Sequence, residues 1–154
     1  MIKVYQTKFK GIDVPREEQG NCFQACLASL LEIPLESAFD WTQYSEHRDD
    51  IPIEEQPWYA AFNEWLIKFG LASIYLQDYP SQLTALNGYY IVAVKSNTLK
   101  NGENHCVIIN KGKLAHDPNT KSNAKGSTIL GVYLLLPLDV ARAKRENLSE
   151  TQVG

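Results

Sequence analysis

The stretch "EEQGNCFQACLASLLEIP", residues 17–34, decides how the chain begins to fold. After Cys22 its apolar residues recur every three or four positions, which predicts a helix over about 22–32 with one side facing a core. Asn21 suits the N-cap of this helix, and Pro34 ends the pattern. The helix therefore begins on a cysteine, and that position needs a chemical or structural explanation.

Beyond this helix the pattern stays helical up to Gly70 and is strand-like afterwards. We expect a short helix at 35–39 and an aromatic-rich helix over "QPWYAAFNEWLIKFG", residues 56–70. Alternating apolar and polar residues predict strands at the following positions: 2–7, 71–76, 89–95, 105–110, 113–116 and 128–136. Helices followed by consecutive strands predict an α+β fold with an antiparallel sheet.

Composition limits the class of protein to which the chain can belong. Its 154 residues suggest a single domain, 1–154, with a polar tail from about 138. A hydrophobic content of 44% is typical of a soluble globular protein, and the net charge of −3 argues against a nucleic-acid partner. No apolar run is long enough to span a membrane, and the N-terminus does not resemble a signal peptide. Because three cysteines cannot all pair within the chain, we expect a reduced, cytoplasmic protein.

Cys22 occupies a position that can activate a thiol. The first turn of a helix has unpaired N–H groups and the positive end of the helix dipole. That environment favours the thiolate, which is the form of cysteine that attacks carbonyl carbons. The other two cysteines, Cys26 and Cys106, are expected in the core, because free cysteine is among the most buried residue types.

A general base for this thiol is predicted from "NHCVIINKGKLAHDPN", residues 104–119. His105 opens an apolar strand, a tight turn at Lys111 and Gly112 reverses the chain, and Asp117 follows the returning strand. Neighbouring strands are about 4.8 Å apart, so the hairpin should bring Asp117 back to the level of His105. The carboxylate could then orient the imidazole as a catalytic base.

Four further polar residues could complete the site. His116 and Asn119 flank Asp117 and are alternatives for the base or for its partner. An oxyanion hole commonly joins a backbone N–H to a side-chain amide. Gln6 and Gln19, which both precede the cysteine, are candidates for that amide.

Together these residues resemble the papain-like cysteine peptidase superfamily. The motifs "GNCFQACLASLLEIP" and "HCVI…HDPN" look closest to its compact bacterial and phage members, which include the peptidases that process double-glycine bacteriocin precursors. The resemblance extends over roughly residues 4–136. It implies a papain-like fold, in which a helix carrying the nucleophile packs on a twisted antiparallel sheet. The roles it implies are Cys22 as nucleophile, His105 as base and Asp117 as orienting residue.

The resemblance also implies a chemistry. The expected reaction is cleavage of a peptide, isopeptide or other amide bond through a thioester on the cysteine, with a peptide or protein substrate and no cofactor. The chain departs from the leader peptidases at two positions, because Phe23 stands where they have glycine and Arg16 where they have the oxyanion glutamine. Gln19 is too close to the cysteine for their spacing, whereas Gln6 fits if residues 8–18 form an inserted loop.

Three other interpretations compete with a cytoplasmic hydrolase. In the first, the cysteine is a structural thiol in a catalytically silent interaction module, which binds a host protein through the acidic stretch at 46–55. In the second, Cys22 binds zinc with Cys26, His105 and His116, although a C-x3-C spacing is not usual for zinc. The third is a cell-wall amidase on the same fold.

Overall fold

The structure is a computed structural model, and it describes residues 1–11, 13–44, 50–96, 104–121, 124 and 127–139. Residues 45–49, which include the first part of the acidic stretch, and the expected polar tail beyond 139 lie outside the described residues. Within the described part, two α-helices and one five-stranded antiparallel sheet form an α+β fold.

The predicted N-terminal helix is confirmed as α1, Cys22–Leu31, and Cys22 is its first residue. The helix ends one residue earlier than predicted, where Glu32 adopts a left-handed conformation with φ of 55°. The short helix expected at 35–39 is a single 3₁₀ turn, Leu35–Ser37, because Ala38 is already extended.

The aromatic-rich helix is confirmed as α2, Pro57–Leu66. Proline at its first position suits a helix N-terminus, where the missing N–H would have no partner. A 3₁₀ turn, Ile67–Phe69, continues the helix, and Gly70 ends it with φ of 69°. That left-handed conformation favours glycine, so the sequence marks the end of the helix correctly.

The five strands after Gly70 form one sheet in the order β1-β5-β2-β3-β4, and all neighbouring strands are antiparallel. Their predicted positions are confirmed to within one residue at each end. The strands are β1, Leu71–Leu76; β2, Tyr90–Lys95; β3, Asn104–Asn110; β4, Lys113–His116; and β5, Ile129–Pro137.

Both helices pack on one face of the sheet, α1 mainly on β3 and α2 on β1. Phe23 joins the two helices to the sheet, because its ring lies 5.8 Å from Trp58, 5.2 Å from Phe62 and 5.1 Å from Tyr133 between centroids. Removing such a buried aromatic side chain typically costs about 3–5 kcal/mol of stability. The residue next to Cys22 therefore anchors the start of α1 against the sheet.

The predicted strand at 2–7 is wrong. The segment is not part of the sheet, because other groups take its hydrogen bonds. The backbone N–H of Val4 donates to Ser29 Oγ at 2.9 Å, and that of Gln6 donates to the carbonyl of Pro118 at 3.0 Å. The N-terminal segment thus runs between α1 and the chain that leaves β4, and it brings Gln6 next to the Asp117–Pro118 pair.

Candidate active site

The β3–β4 hairpin brings His105 and Asp117 together, as the sequence predicts. Lys111 and Gly112 both have positive φ, 52° and 72°, which matches the tight turn expected between the strands. The Nε2 atom of His105 lies 2.7 Å from Oδ1 of Asp117. A carboxylate only accepts hydrogen bonds, so the ring N–H is the donor. Both side chains are close to nine-tenths buried, and the pair is therefore shielded from solvent.

Asn119 and His116 do not act as partners of this ring. The backbone N–H of Asn119 donates to Oδ1 of Asp117 at 2.9 Å. Asn119 therefore orients the carboxylate, and the carboxylate in turn binds His105. Nε2 of His116 donates to the carbonyl of Val4 at 2.7 Å, and its ring packs edge-on against Tyr5. His116 therefore fastens the N-terminal segment.

The first N–H groups of α1, beside Cys22, are not capped by the side chain of the preceding residue. Asn21 occupies the N-cap position, but its side chain makes no capping hydrogen bond. Its Oδ1 instead accepts from the backbone N–H groups of Thr7 and Lys8 at 2.9 and 3.0 Å. The predicted N-cap position of Asn21 is therefore confirmed, but its side chain does not cap the helix, because its amide binds a distant segment. The first-turn N–H groups keep their positive potential, which favours a thiolate on Cys22.

Cys106 binds Cys22 directly, a contact that sequence reasoning missed. The backbone N–H of Cys106 donates to the sulfur of Cys22 at 3.4 Å. Cys106 belongs to the core, as predicted. Its side chain alternates onto the face of β3 that α1 covers, and this alternation was the signal available in the sequence. Because α1 begins on Cys22, the two thiols meet where the helix crosses the strand.

The charges of the site favour a thiolate on Cys22. A hydrogen bond from the Cys106 thiol, followed by a hydrogen bond and charge attraction from His105, lowers the pKa of Cys22 well below its usual value, against the opposing effect of burial. The same hydrogen bond from Cys106 to Cys22, together with burial, raises the pKa of the Cys106 thiol well above its usual value. The shared hydrogen bond therefore favours the negative charge on Cys22 and the proton on Cys106.

His105 is held in its protonated form. Burial alone would lower its pKa, but hydrogen bonds to Asp117 and then to Cys22, with the charges of both, raise the pKa of His105 to about 9. Nε2 is bound to Asp117, so Nδ1 is the ring nitrogen left for Cys22. The arrangement can hold a thiolate and an imidazolium side by side at neutral pH, and such a pair can attack a carbonyl and then donate a proton.

Hydrogen bonds around the loop between Lys10 and Gly20 determine how close each of the two glutamines lies to the start of α1. The N–H of Gly20 donates to the carbonyl of Lys10 at 2.8 Å, and the N–H of Asn21 donates to that of Lys8 at 3.2 Å. These bonds close the loop at its base, so Gln6 is close in space to the start of α1 although it is far along the chain.

The two amides have different neighbours. Nε2 of Gln19 donates to the carbonyl of Val14 within the loop, at 3.0 Å. Nε2 of Gln6 donates to the carbonyl of Lys8 at 2.9 Å, and Lys8 is itself bound to Asn21 at the start of α1. Each amide keeps a second N–H for another acceptor, so the two glutamines differ in their location. Oε1 of Gln6 is buried without a hydrogen-bond partner among the described residues. Gln6 is therefore the better placed of the two predicted oxyanion donors.

Cys26 lies away from this chemistry. It is fully buried one turn into α1, and burial raises the pKa of its thiol well above the usual value. With His116 bound to Val4, the four residues considered for zinc do not converge. Among the residues that the structure describes, no three His, Cys, Asp or Glu side chains form a group that could hold a metal ion.

The chain matches no protein-family model, no curated protein and no solved structure. Within the described residues, no helix has both the length and the apolar character that crossing a membrane requires. Any assignment of function therefore depends on the contacts of the chain itself, above all on Cys22, His105 and Asp117.

Proposed function

We propose that the protein is a papain-like, cysteine-dependent hydrolase that cleaves a peptide, isopeptide or other amide bond. The observation that carries the proposal is the position of His105, which Asp117 binds at 2.7 Å and whose pKa is raised by Asp117 and then by the hydrogen bond and charge of Cys22. A buried histidine shared between a carboxylate and a thiol at a helix N-terminus is suited to nucleophilic catalysis.

The acylation step follows from this arrangement. The Cys22 thiolate attacks the carbonyl carbon of the substrate and forms a tetrahedral intermediate. The backbone N–H of Cys22, which has no acceptor within the helix, and the free amide N–H of Gln6 would stabilise the oxyanion. His105 then donates its proton to the leaving amine as the C–N bond breaks, and a thioester remains on Cys22.

Deacylation uses the same residues. Neutral His105 takes a proton from a water molecule, whose oxygen attacks the thioester carbonyl. The C–S bond breaks, the acid is released, and the thiolate and imidazolium are restored. Asp117 keeps the ring oriented throughout and stabilises its positive charge. Every step uses residues of this chain and water.

p-Nitrophenyl acetate tests the proposal without knowledge of the natural substrate, because it is an activated acyl donor with a coloured leaving group. We expect a burst of p-nitrophenolate, an acetyl group on Cys22 by peptide mass spectrometry, and continued turnover as the thioester is hydrolysed. Cys22→Ala should abolish both the burst and the turnover, whereas the matched variant Cys26→Ala should retain them.

A different result would favour the interaction module. If Cys22 is not acetylated faster than the other cysteines, it is not an activated nucleophile. If an acetyl group forms on Cys22 and is never released in the presence of His105 and Asp117, the site does not catalyse hydrolysis.

A further inference from the structure

The contact between Cys22 and Cys106 has a chemical consequence that hydrolysis does not use. Cys22 is partly exposed and Cys106 is nine-tenths buried. They are 84 residues apart in sequence, yet the backbone N–H of Cys106 lies 3.4 Å from the Cys22 sulfur. The site therefore holds one thiol that small molecules can reach and a second thiol directly behind it.

We propose that Cys22 is a site of reversible oxidation by hydroperoxides, and that Cys106 is the resolving thiol that closes a Cys22–Cys106 disulfide. The disulfide does not depend on hydrolase activity. Its effect on catalysis does rest on the proposed function, because the bond would consume the nucleophile.

The backbone geometry permits the bond. The N–Cα bond is about 1.5 Å long, so the Cys22 sulfur lies within about 5 Å of the Cys106 Cα. In a disulfide the same two atoms are separated by only three bonds, Cα–Cβ, Cβ–S and an S–S bond of about 2.05 Å, so the Cys22 sulfur is already within about the reach of such a bond. Cys106 belongs to the core cluster against which Cys22 packs, on the side of the sheet that α1 covers, and a hydrogen bond between the two thiols contributes to both of their pKa shifts.

The protonation states suit the two roles. Thiolates react with peroxides and thiols scarcely do, so oxidation should begin at the cysteine whose pKa is lowered, Cys22. Cys106 retains its proton until a sulfenic acid forms beside it. Its burial does not prevent the second step, because the partner sulfur is already in contact and no external reagent has to reach it.

The reaction balances with hydrogen peroxide as the oxidant. The Cys22 thiolate attacks one peroxide oxygen, an S–O bond forms, the O–O bond breaks, and the departing hydroxide takes a proton from the solvent to become water. The Cys106 sulfur then attacks the sulfenic sulfur, the S–S bond forms, and the S–O bond breaks. The Cys106 proton leaves with the departing hydroxide as water. Two thiols lose two electrons in total, the peroxide is reduced to two water molecules, and dithiothreitol reverses the change by thiol–disulfide exchange.

The experiment treats the full chain with a small excess of hydrogen peroxide and then blocks free thiols with iodoacetamide under denaturing, non-reducing conditions. We expect peptide mapping to give a cross-linked pair that contains Cys22 and Cys106, while Cys26 is alkylated. Dithiothreitol should restore three free thiols. A disulfide between Cys22 and Cys26, a disulfide between two chains, or Cys106 alkylated while Cys22 is oxidised would each overturn the proposal.

Two matched variants separate the roles of the buried thiols. In Cys106→Ala, Cys22 should progress to sulfinic acid, and dithiothreitol should no longer recover it. In Cys26→Ala, the disulfide and its reversal should be unchanged. Because the mapping of the unmodified chain needs no variant, poor folding of Cys106→Ala would not remove the test. Peptide mapping of the disulfide does not depend on turnover. It would therefore test this proposal even if the protein proved not to be a hydrolase.

Discussion

Cys106 donates its backbone N–H to the sulfur of Cys22 across 3.4 Å, and this bond ties the strand that carries His105 to the helix that begins on Cys22. The residue after the histidine thus fixes the distance between the strand and the thiol. Asp117 holds the other side of the ring at 2.7 Å. The geometry of the site is therefore set by two backbone elements, α1 and the β3–β4 hairpin, whose packing is part of the core.

The titration of His105 should reveal its two partners. With its pKa raised to about 9, the ring stays protonated through neutral pH and loses its proton as the pH rises through about 9. The Cys22 thiolate persists above its own lowered pKa. The ion pair should therefore exist at pH values between the pKa of Cys22, which is the lower limit, and the pKa of His105. The rate of acylation by p-nitrophenyl acetate should rise through the lower limit.

NMR of the imidazole ring measures this titration directly. In Cys22→Ser the pKa of His105 should fall, because the negative charge of Cys22 is lost while Asp117 remains. A ring that titrates at the ordinary value of about 6.5 in both proteins would show that neither partner acts on it.

Asp117→Asn should preserve the fold and lower the turnover of p-nitrophenyl acetate. The neutral amide stabilises the imidazolium less well and can hold the wrong tautomer, and the loss in other triads reaches about 10⁴-fold. Asn119→Ala is the matched control, because its backbone N–H still donates to residue 117 after the change. If Asp117→Asn turns over at the wild-type rate, another residue orients His105.

Gln6→Ala should lower kcat by about 10²–10³-fold if its amide binds the oxyanion. Gln19→Ala removes an amide of the same size that is bound to Val14 in the loop, and it should leave kcat unchanged. Steady-state kinetics with p-nitrophenyl acetate compares the two variants. Equal effects of the two changes would contradict the assignment of Gln6.

His116→Ala should reduce stability and leave the chemistry intact. The change removes the shorter of two hydrogen bonds to the carbonyl of Val4, because Ser29 Oγ also donates to it at 3.3 Å, and one lost hydrogen bond typically costs about 0.5–1.5 kcal/mol. Urea denaturation measures the loss, and the acetylation rate of Cys22 in the folded variant should match the wild type. A folded variant that is no longer acetylated would give His116 a part in catalysis.

The sequence predicts the helices and the sheet well because their periodicities are regular and their ends carry turn residues. Gly70 and the Lys111–Gly112 turn have positive φ, and these positions mark the ends of β3 and of the 3₁₀ turn that continues α2. The hairpin is a local structure, so the proximity of His105 and Asp117 also follows from the sequence. The signal for Cys22 is equally local, since it lies at the start of an amphipathic helix.

What the sequence does not predict depends on contacts between distant segments. Alternation at 2–7 is compatible with any extended chain, and the segment has no neighbouring strand in the sheet. Asn21 has the chemistry of an N-cap, yet its amide binds Thr7 and Lys8. The position of Gln6 depends on backbone hydrogen bonds that close the loop before α1. The pattern of side chains does not predict such bonds.

The central claim is that the His105 imidazolium acts with the hydrogen bond from Cys106 to maintain Cys22 as a thiolate, and alkylation by iodoacetamide tests the part of His105 most directly. At about pH 6 an ordinary thiol with a pKa of about 8.5 is almost fully protonated, so only an activated cysteine should react quickly. We expect peptide mapping to show Cys22 modified well before Cys26 or Cys106. Exposure alone would also favour Cys22, because Cys26 is 0% exposed and Cys106 is 9% exposed.

His105→Ala separates activation from exposure, because it removes the imidazolium and leaves the sulfur at least as accessible. The account predicts that alkylation of Cys22 slows sharply at about pH 6 in this variant and stays close to the wild-type rate at about pH 9, where the thiolate forms without help. Equal rates in wild type and His105→Ala at the lower pH would show that His105 does not sustain the thiolate of Cys22, and they would contradict the account.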